Sequence, residues 1–242
     1  MSAVRKMHDL AGADEGARFS PYCWRTRLAL AHKGLPVETI PWRFTEKEAI
    51  AFSGQGFVPV LVDGERCISD SWTIAQYLEE AYPDAPSLFG GVSGLAMTRF
   101  INQWATDTLN LALVRVLLPD IHAILHPKDQ DYFRTTREKR FGMTIEAVRD
   151  ARETNLTAMN AVLRPLNATL TGQDFLSGTG PAYADHVVFA SFQWARVASP
   201  LNILDGFEAI AAWRERLLDA YGGLARATPA HSETVHGGQL TP

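Results

Sequence analysis

Ser20-Pro21-Tyr22-Cys23-Trp24-Arg25 is the stretch that decides the reading of this chain. Serine as N-cap with proline at the first helical position is a strong helix start: the serine oxygen takes a free backbone N–H, and proline has none to lose. The same end carries unpaired N–H groups and the positive end of the helix dipole, and both favour an anion. A thiolate beside Ser20 Oγ would gain a hydrogen bond worth roughly 1.5–3 kcal/mol and about 0.3–1 kcal/mol from the dipole. With one pKa unit worth ~1.36 kcal/mol, a thiol of pKa ~8.5 would fall to roughly 6–7 and ionise at neutral pH. On these six residues alone, an ordinary capped helix and an anion-holding helix end are both open.

Around this start the segments are short and mixed. Residues 4–10 are a weak strand candidate, and 21–34 have helical spacing through Trp24, Leu28 and Ala31. Val37–Trp42 reads as a strand. Residues 58–62 turn at Asp63-Gly64 into 66–69 as a hairpin. Residues 71–82 close the half as a helix with Ile74, Leu78 and Ala81 on one face. The order β-α-β-(α)-β-β-α fits an α/β sandwich of ~80 residues.

Two further signals lie in this half. Val58-Pro59 opens a strand, where proline belongs at an edge or a first residue. A cis bond there would turn the Val58 N–H and C=O toward the Ser20 helix end; a plain edge proline is the alternative. Asp70-Ser71 precedes the Trp72 helix and reads either as an N-cap or as a site for a zwitterion. In that second reading Ser71 holds a carboxylate and Asp70 an ammonium.

A Pro/Gly-rich seam runs from Pro83 to Gly94, and beyond it the texture is helical. Phe100, Trp104, Leu111, Arg115 and Leu118 follow three- and four-residue steps with one seven-residue gap spanning Thr108. Residues 131–150 and 155–170 continue in that style, and 207–221 read as an amphipathic helix. Residues 187–195 are apolar on most sides, as befits the centre of a bundle. The expected organisation is an α/β domain over residues 1–84, a linker over 85–94, a helical domain over 95–221 and a loose or surface-bound tail over 222–242.

Composition narrows the function. The chain has 242 residues, 46% hydrophobic and 21% charged, which excludes a disordered or low-complexity body. Lys and Arg number 23 against 27 Asp and Glu, and the net charge of −4 gives no basic excess to hold nucleic acid. Two cysteines, Cys23 and Cys67, exclude a disulfide scaffold and a Cys-rich zinc module. The N-terminus lacks a signal-peptide core and no apolar run reaches the ~20 residues of a membrane span. A cytoplasmic protein with no membrane partner is the expectation.

Ser20 through Arg25, Val58-Pro59, Asp70-Ser71 and Pro181-Ala182-Tyr183-Ala184-Asp185 resemble the landmarks of glutathione transferases, across nearly the whole chain. The run from Ser20 to Leu30, Asp70-Ser71-Trp72, and His126-Pro127-Lys128-Asp129-Gln130-Asp131-Tyr132 with Arg137-Glu138 are similar to the bacterial lignin β-etherase type and to related fungal serine-type transferases. The resemblance implies a thioredoxin-like N-terminal domain, a helical-bundle C-terminal domain, glutathione as co-substrate, no metal, and a homodimer. It implies that Ser20 binds and activates the glutathione sulfur, and that Val58, beside Pro59, pairs its backbone with the cysteinyl part. Asp70 and Ser71 would hold the γ-glutamyl end, and Trp42 or Arg43 the glycine carboxylate. Asp185 would cap a central helix. The substrate implied by the etherase type is an aryl ether with an adjacent carbonyl.

Two positions depart from the pattern. Ala182 stands where a capping Ser or Thr is usual, and losing such a hydroxyl costs roughly 1 kcal/mol. Phe57 replaces a residue able to hydrogen-bond glutathione.

Rival readings remain at this stage. Ser-Pro-Tyr-Cys resembles a glutaredoxin motif whose first cysteine has become serine, which leaves a thiol transferase acting through Cys23 as an alternative. A non-catalytic carrier of aromatic or phenolic ligands is another. The aromatic slot is expected to be lined by Phe19, Tyr22, Trp104, Asp107 and Leu111. His122 and His126 have ligand spacing but no third partner, so they read as helix-end and loop residues, with Pro127 ending the helix. The charge run over 134–140 reads as a solvated helix face.

Overall fold

The structure is a computed structural model that describes residues 4–231. Strand β1 (Arg5–Leu10), helix α1 (Pro21–His32) and strand β2 (Val37–Trp42) form a βαβ unit whose parallel strands pair from Arg5↔Val37 to Leu10↔Trp42. A 3-10 turn over Lys47–Ser53 leads to β3 (Val60–Asp63), antiparallel to β1, and a hairpin to β4 (Arg66–Ser69). Gly64 takes φ +60 in that turn, which a side chain rarely tolerates. The sheet order is β2-β1-β3-β4, and α2 (Ser71–Ala81) closes a thioredoxin-like domain. Trp24, Leu28 and Leu30 of α1 are fully buried, which fixes the helix start above the sheet.

The helical domain follows: α3 (Val92–Trp104), α4 (Asn110–Ile124), α5 (Pro127–Phe141), α6 (Ile145–Asp150), α7 (Arg152–Thr171), α8 (Tyr183–Ala198) and α9 (Glu208–Gly223). Among the described residues, no helix is long and apolar enough to cross a membrane. Helix α8 is the centre, buried at nearly every position. Its start leans on Asp185, whose Oδ1 accepts from Leu176 N (2.7 Å) and Trp213 Nε1 (2.8 Å), while Oδ2 accepts from Ser177 N (3.0 Å) and Ala182 N (3.3 Å). One carboxylate thus serves the backbone that Ala182, lacking a hydroxyl, leaves uncapped.

Several expectations shift. Between α3 and α4 lies a π-helical segment, Ala105–Leu109, at the gap in the sequence periodicity. A π turn holds more residues than an α turn, so the helical phase slips there. The stripe extrapolated through it is therefore not one core face: Phe100 is 66% and Leu111 37% exposed, whereas Leu118 is buried. The segment 131–150 breaks at Gly142 (φ +65), and Thr144 Oγ1 caps α6 by accepting from Ala147 N at 3.1 Å. Pro127 opens α5 rather than ending a helix, and α4 has stopped at Ile124. The first part of the expected tail, 222–231, packs on α8. Ala225 is buried, its carbonyl takes the Gln193 amide at 2.9 Å, and that of Thr228 takes Arg196 at 2.7 Å. The rest of the tail lies outside the described residues.

Buried polar ties join the two domains. Arg25 Nη1 donates to Asn102 Oδ1 (2.9 Å), and Tyr183 O–H to Ser71 O (2.7 Å). The longest tie is a chain of rings. His32 Nε2 can only donate to the Ser87 carbonyl (3.0 Å), so its Nδ1 accepts from Tyr221 O–H (3.0 Å), and His186 Nε2 donates to that phenol oxygen (2.7 Å). At the far side, Asp129 of α5 reaches the loop after β2. It accepts from Phe44 N (2.9 Å), Thr45 N (3.0 Å) and Thr45 O–H (2.6 Å).

A candidate active-site cleft between the domains

A cleft of about 890 Å³ lies where the two domains meet. Its floor includes the N-terminus of α1. Ser20 has extended backbone angles (φ −65, ψ 123) and is nearly buried; its Oγ accepts from Cys23 N at 3.2 Å. That bond occupies an oxygen lone pair and leaves the hydroxyl proton for another acceptor. The Val58-Pro59 bond is cis, and both residues line the cleft.

Asp70 and Ser71 line the same cleft at the start of α2. Asp70 holds φ +71, a conformation that costs a non-glycine residue about 1–3 kcal/mol. Its Oδ1 caps the helix, accepting from Trp72 N (3.1 Å), Thr73 N (2.9 Å) and Thr73 O–H (3.1 Å). Oδ2 is left to face a ligand. Capping and ligand binding are therefore compatible, one oxygen for each. Sequence reading treated them as alternatives because spacing does not divide a carboxylate into two oxygens.

The glycine-end candidates fare differently. Trp42 lines the cleft, but its Nε1–H is committed to Glu46 O at 2.7 Å. Arg43 is turned away: its guanidinium donates to Gly12 O (3.2 Å) and Ala13 O (3.4 Å) and pairs with Glu15 and Glu46. The carboxylates and carbonyls of neighbouring loops hold it outside the lining. Lys47, which sequence reading missed, has Nζ 4.9 Å from the Trp42 ring, 5.0 Å from Phe57 and 5.4 Å from Tyr132. All three rings line the cleft, so Lys47 is a cation at its edge. Its Nζ also donates to Gly56 O (2.6 Å), next to the strand that Pro59 opens.

Of the residues expected to line the aromatic slot, Phe19 and Tyr22 beside Ser20 and Asp107 and Leu111 of the helical domain do so, and Trp104 does not. Trp104 ends α3 just before the π segment, and the phase slip takes it off the face that carries Leu111. Trp194 of α8 is the tryptophan that the helical domain gives the lining. Asn110 lines it too, buried, with neither amide atom paired within the protein among the described residues.

Helix α5 supplies the outer wall, which sequence reading missed. Tyr132, Phe133, Thr136, Arg137 and Arg140 all line the cleft. Arg137 is not a solvated charge: its guanidinium lies 5.3 Å from the Phe44 ring and 4.9 Å from Phe133, and burial lowers its pKa from the ordinary guanidinium value. Arg134 does match a solvated reading, paired with Glu138 and Glu146. The signal that separates them is Asp129, four residues after His122-Ala123-Ile124-Leu125, whose buried carboxylate draws α5 onto the β2 loop.

Cys23 lies wholly buried one turn inside α1, where burial, and then the Asp9 carboxylate, push its thiol well above the usual range. A protonated, inaccessible thiol is a poor nucleophile. Among the described residues no group of three or more His, Cys, Asp or Glu could hold a metal ion. His126 instead caps α5, its Nδ1 accepting from Lys128 N at 3.3 Å.

The chain matches the family described as Glutathione S-transferase, N-terminal domain, over residues 16–86, and Glutathione S-transferase, C-terminal domain, over residues 96–221. A zeta class glutathione S-transferase of Euphorbia esula is 44% identical over 70 residues, 27% of this chain and 31% of that one. The chain thus spans about a third of the length of this curated relative. Among solved structures, the glutathione S-transferase CsGST83044 of Ceriporiopsis subvermispora, in complex with glutathione, is 27% identical. Its TM-score is 0.75, covering 91% of this chain and 99% of that one. CsGST63524 of the same fungus, also with glutathione, has a TM-score of 0.80 at 24% identity, covers 90% and 98%, and attests the fold.

Proposed function

This chain belongs to the glutathione S-transferase family, and on that premise we propose that it ionises the glutathione thiol at Ser20 and delivers it to an aromatic electrophile. The observation that carries the reading is Ser20 Oγ, fixed at the N-terminus of α1 and lining the cleft, its hydroxyl proton not used by the bond it accepts from Cys23 N. A thiolate there takes the Ser20 proton in a hydrogen bond and sits in the positive field of the helix end. Val58 offers its backbone to the cysteinyl part, and Asp70 Oδ2 with Ser71 receives the γ-glutamyl end. Lys47 replaces Arg43 as the cation for the glycine carboxylate, supported by its place among Trp42, Phe57 and Tyr132.

The electrophile in this reading is an aryl ether with an adjacent carbonyl. The glutathione sulfur attacks the carbon bearing the ether oxygen; the C–S bond forms as the C–O bond breaks. The electron pair leaves as a phenolate, which takes a proton from water. Phenol has a pKa of ~10, so it departs without a strong general acid. Asn110, with both amide atoms unpaired and facing the cleft, is available to donate to the carbonyl oxygen. The protein's task is to hold the reacting carbon about 3–3.5 Å from sulfur in a dry slot. The reading includes a cytoplasmic homodimer. Two unpaired cysteines suit a reducing compartment, and Met97 and Phe100, exposed three apart on α3, offer an apolar face to a second copy.

Incubation with glutathione and a fluorogenic β-aryl ether ketone tests the chemistry. Release of the phenol above the uncatalysed rate, with a glutathione thioether in the products, is the expected result. Turnover of a chlorodinitrobenzene without any phenol release would leave a transferase that is not an etherase.

A further inference from the structure

The outer wall of the cleft carries two cations that the protein itself does not neutralise. Arg137 donates Nη1 to Thr136 Oγ1 (3.0 Å) and lies on Phe44 and Phe133, but no carboxylate pairs with it among the described residues. Arg140, one turn portion further on the same face, lies 5.5 Å from the Phe141 ring and likewise has no acidic partner there. Several other arginines have one: Arg5 with Asp63, Arg43 with Glu15, Arg134 with Glu146 and Arg152 with Asp120, while Arg25, buried between the domains, is held by Asn102 and Thr106. Arg137, half-buried against its rings, also feels the like charge of exposed Arg140 three residues on, and an anion entering the cleft would relieve both.

From this we infer that the cleft has an anion subsite at Arg137 and Arg140, and that the electrophile carries a carboxylate or a similar acidic group there. The inference rests on the transferase reading of the same cleft. The two acidic residues of the lining lie elsewhere: Asp70 at the start of α2, and Asp107 on the π segment, where it takes the Gln103 amide. Negative charge is thus kept to the γ-glutamyl end and the facing helix, and positive charge to α5. The electrophile's acid, rather than the glycine carboxylate, is the assigned occupant, because Lys47 already stands nearest the Pro59 strand. The planar guanidinium on Phe44 and Phe133 is pre-set for two-point contact with a carboxylate, which a lysine could not reproduce. Ring contacts run from Phe19, beside Ser20, to Phe44 at 6.5 Å and on to Arg137. An aromatic acid laid along that path has its ring over the thiol and its carboxylate at α5.

The test compares a chlorodinitrobenzene with its acid analogue, chlorodinitrobenzoate, on the wild type and on Arg137→Gln, Arg137→Lys and Arg140→Gln. In Arg137→Gln, kcat/KM for the acid should fall about 10–100-fold more than for the neutral substrate, through KM. Arg140→Gln, whose side chain is exposed and leaves packing intact, should show the same selective loss to a smaller degree. Arg137→Lys should lie between wild type and Gln. Equal losses on both substrates would overturn the subsite, and so would a loss confined to the KM of glutathione, which would assign the arginines to the tripeptide. Calorimetry with unreactive dinitrobenzoate and dinitrobenzene decides the matter independently of turnover. Tighter binding of the acid, abolished in Arg137→Gln, supports the subsite even if neither chloride reacts and the transferase reading fails. Equal binding overturns it.

Discussion

The two walls of the cleft are built on different principles. The wall proposed to hold glutathione consists of backbone ends: the N-terminus of α1 at Ser20, the strand opened by Val58-Pro59, and the N-terminus of α2 at Asp70. Each is set by two or three neighbouring residues. The α5 wall consists of side chains on a helix docked by distant contacts, chief among them Asp129 with Phe44 and Thr45, 85 and 84 residues apart, beside Lys128 with Glu46. A wall made of local ends tolerates change elsewhere; a wall made by docking does not.

The sharpest way to break this contrast is Asp129→Ala. It leaves the buried Phe44 N–H without an acceptor and removes three hydrogen bonds, so stability should fall by about 3 kcal/mol. For a chain of this size that is a drop in Tm of roughly 6–12 °C, read by calorimetry. An unchanged Tm would mean that α5 stands without the contact, and the distinction between the walls would collapse.

Ser20→Ala probes the other wall. Glutathione should still bind, while the bound thiol pKa rises by about one to two units and turnover at pH 7 slows ~10–100-fold. An ultraviolet titration of the bound thiolate reads this directly, and identical curves for variant and wild type would remove Ser20 from the chemistry. Stability should change by only about 1 kcal/mol, the value of one cap. Smaller again, Asp70→Asn or Ser71→Ala should weaken glutathione by at least about 1–2 kcal/mol in calorimetry. Unchanged affinity in both would reduce that end of α2 to a capped helix.

The smallest effect concerns neither wall but the ring chain that joins the domains behind them. Burial lowers the pKa of His32, and burial first, then the positive charge His32 would carry if protonated, lowers that of His186 well below the usual imidazole value. Both are therefore neutral when folded. As pH falls below ~6.5 the unfolded chain takes up protons that the folded one refuses, so the contribution present above that pH is lost on acidification. For fully buried His186 this amounts to about 1 kcal/mol between pH 7 and pH 5.5. Denaturant melts across that range should show the decline in wild type and a flatter profile in His186→Gln.

The same contrast explains what was legible beforehand. Ser20, Val58-Pro59 and Asp70-Ser71 are readable because caps and strand-opening prolines are properties of adjacent residues. Lys47, Asn110, Arg137 and Trp194 are not, because their membership of the cleft depends on which face meets which domain. Arg137 and Arg134 are indistinguishable in a charge run; only the docking of α5 buries one and leaves the other to Glu146. Trp104 was misjudged for a related reason, since its spacing to Leu111 presumed a regular helix through the π segment. Arg43 was misjudged because a cation beside the site has rival acceptors in Gly12, Glu15 and Glu46 that spacing does not reveal.

The π segment has one more consequence. From Val92 to Ile124 the backbone is one continuous rod, with the extra residue of Ala105–Leu109 set into it. Each residue of an α-helix turns ~100° about the axis, and the wider π turn takes up its extra residue locally, so deleting one residue there would restore a regular helix with its faces unchanged, whereas inserting one more would rotate everything from Asn110 onward by roughly a quarter turn relative to Met97 and Phe100. Asn110 and Leu111 would swing away from Ser20 while the composition of the chain scarcely changed. The length of this helix is thereby part of the definition of the cleft, and substitutions at its lining positions are milder edits than an insertion within it.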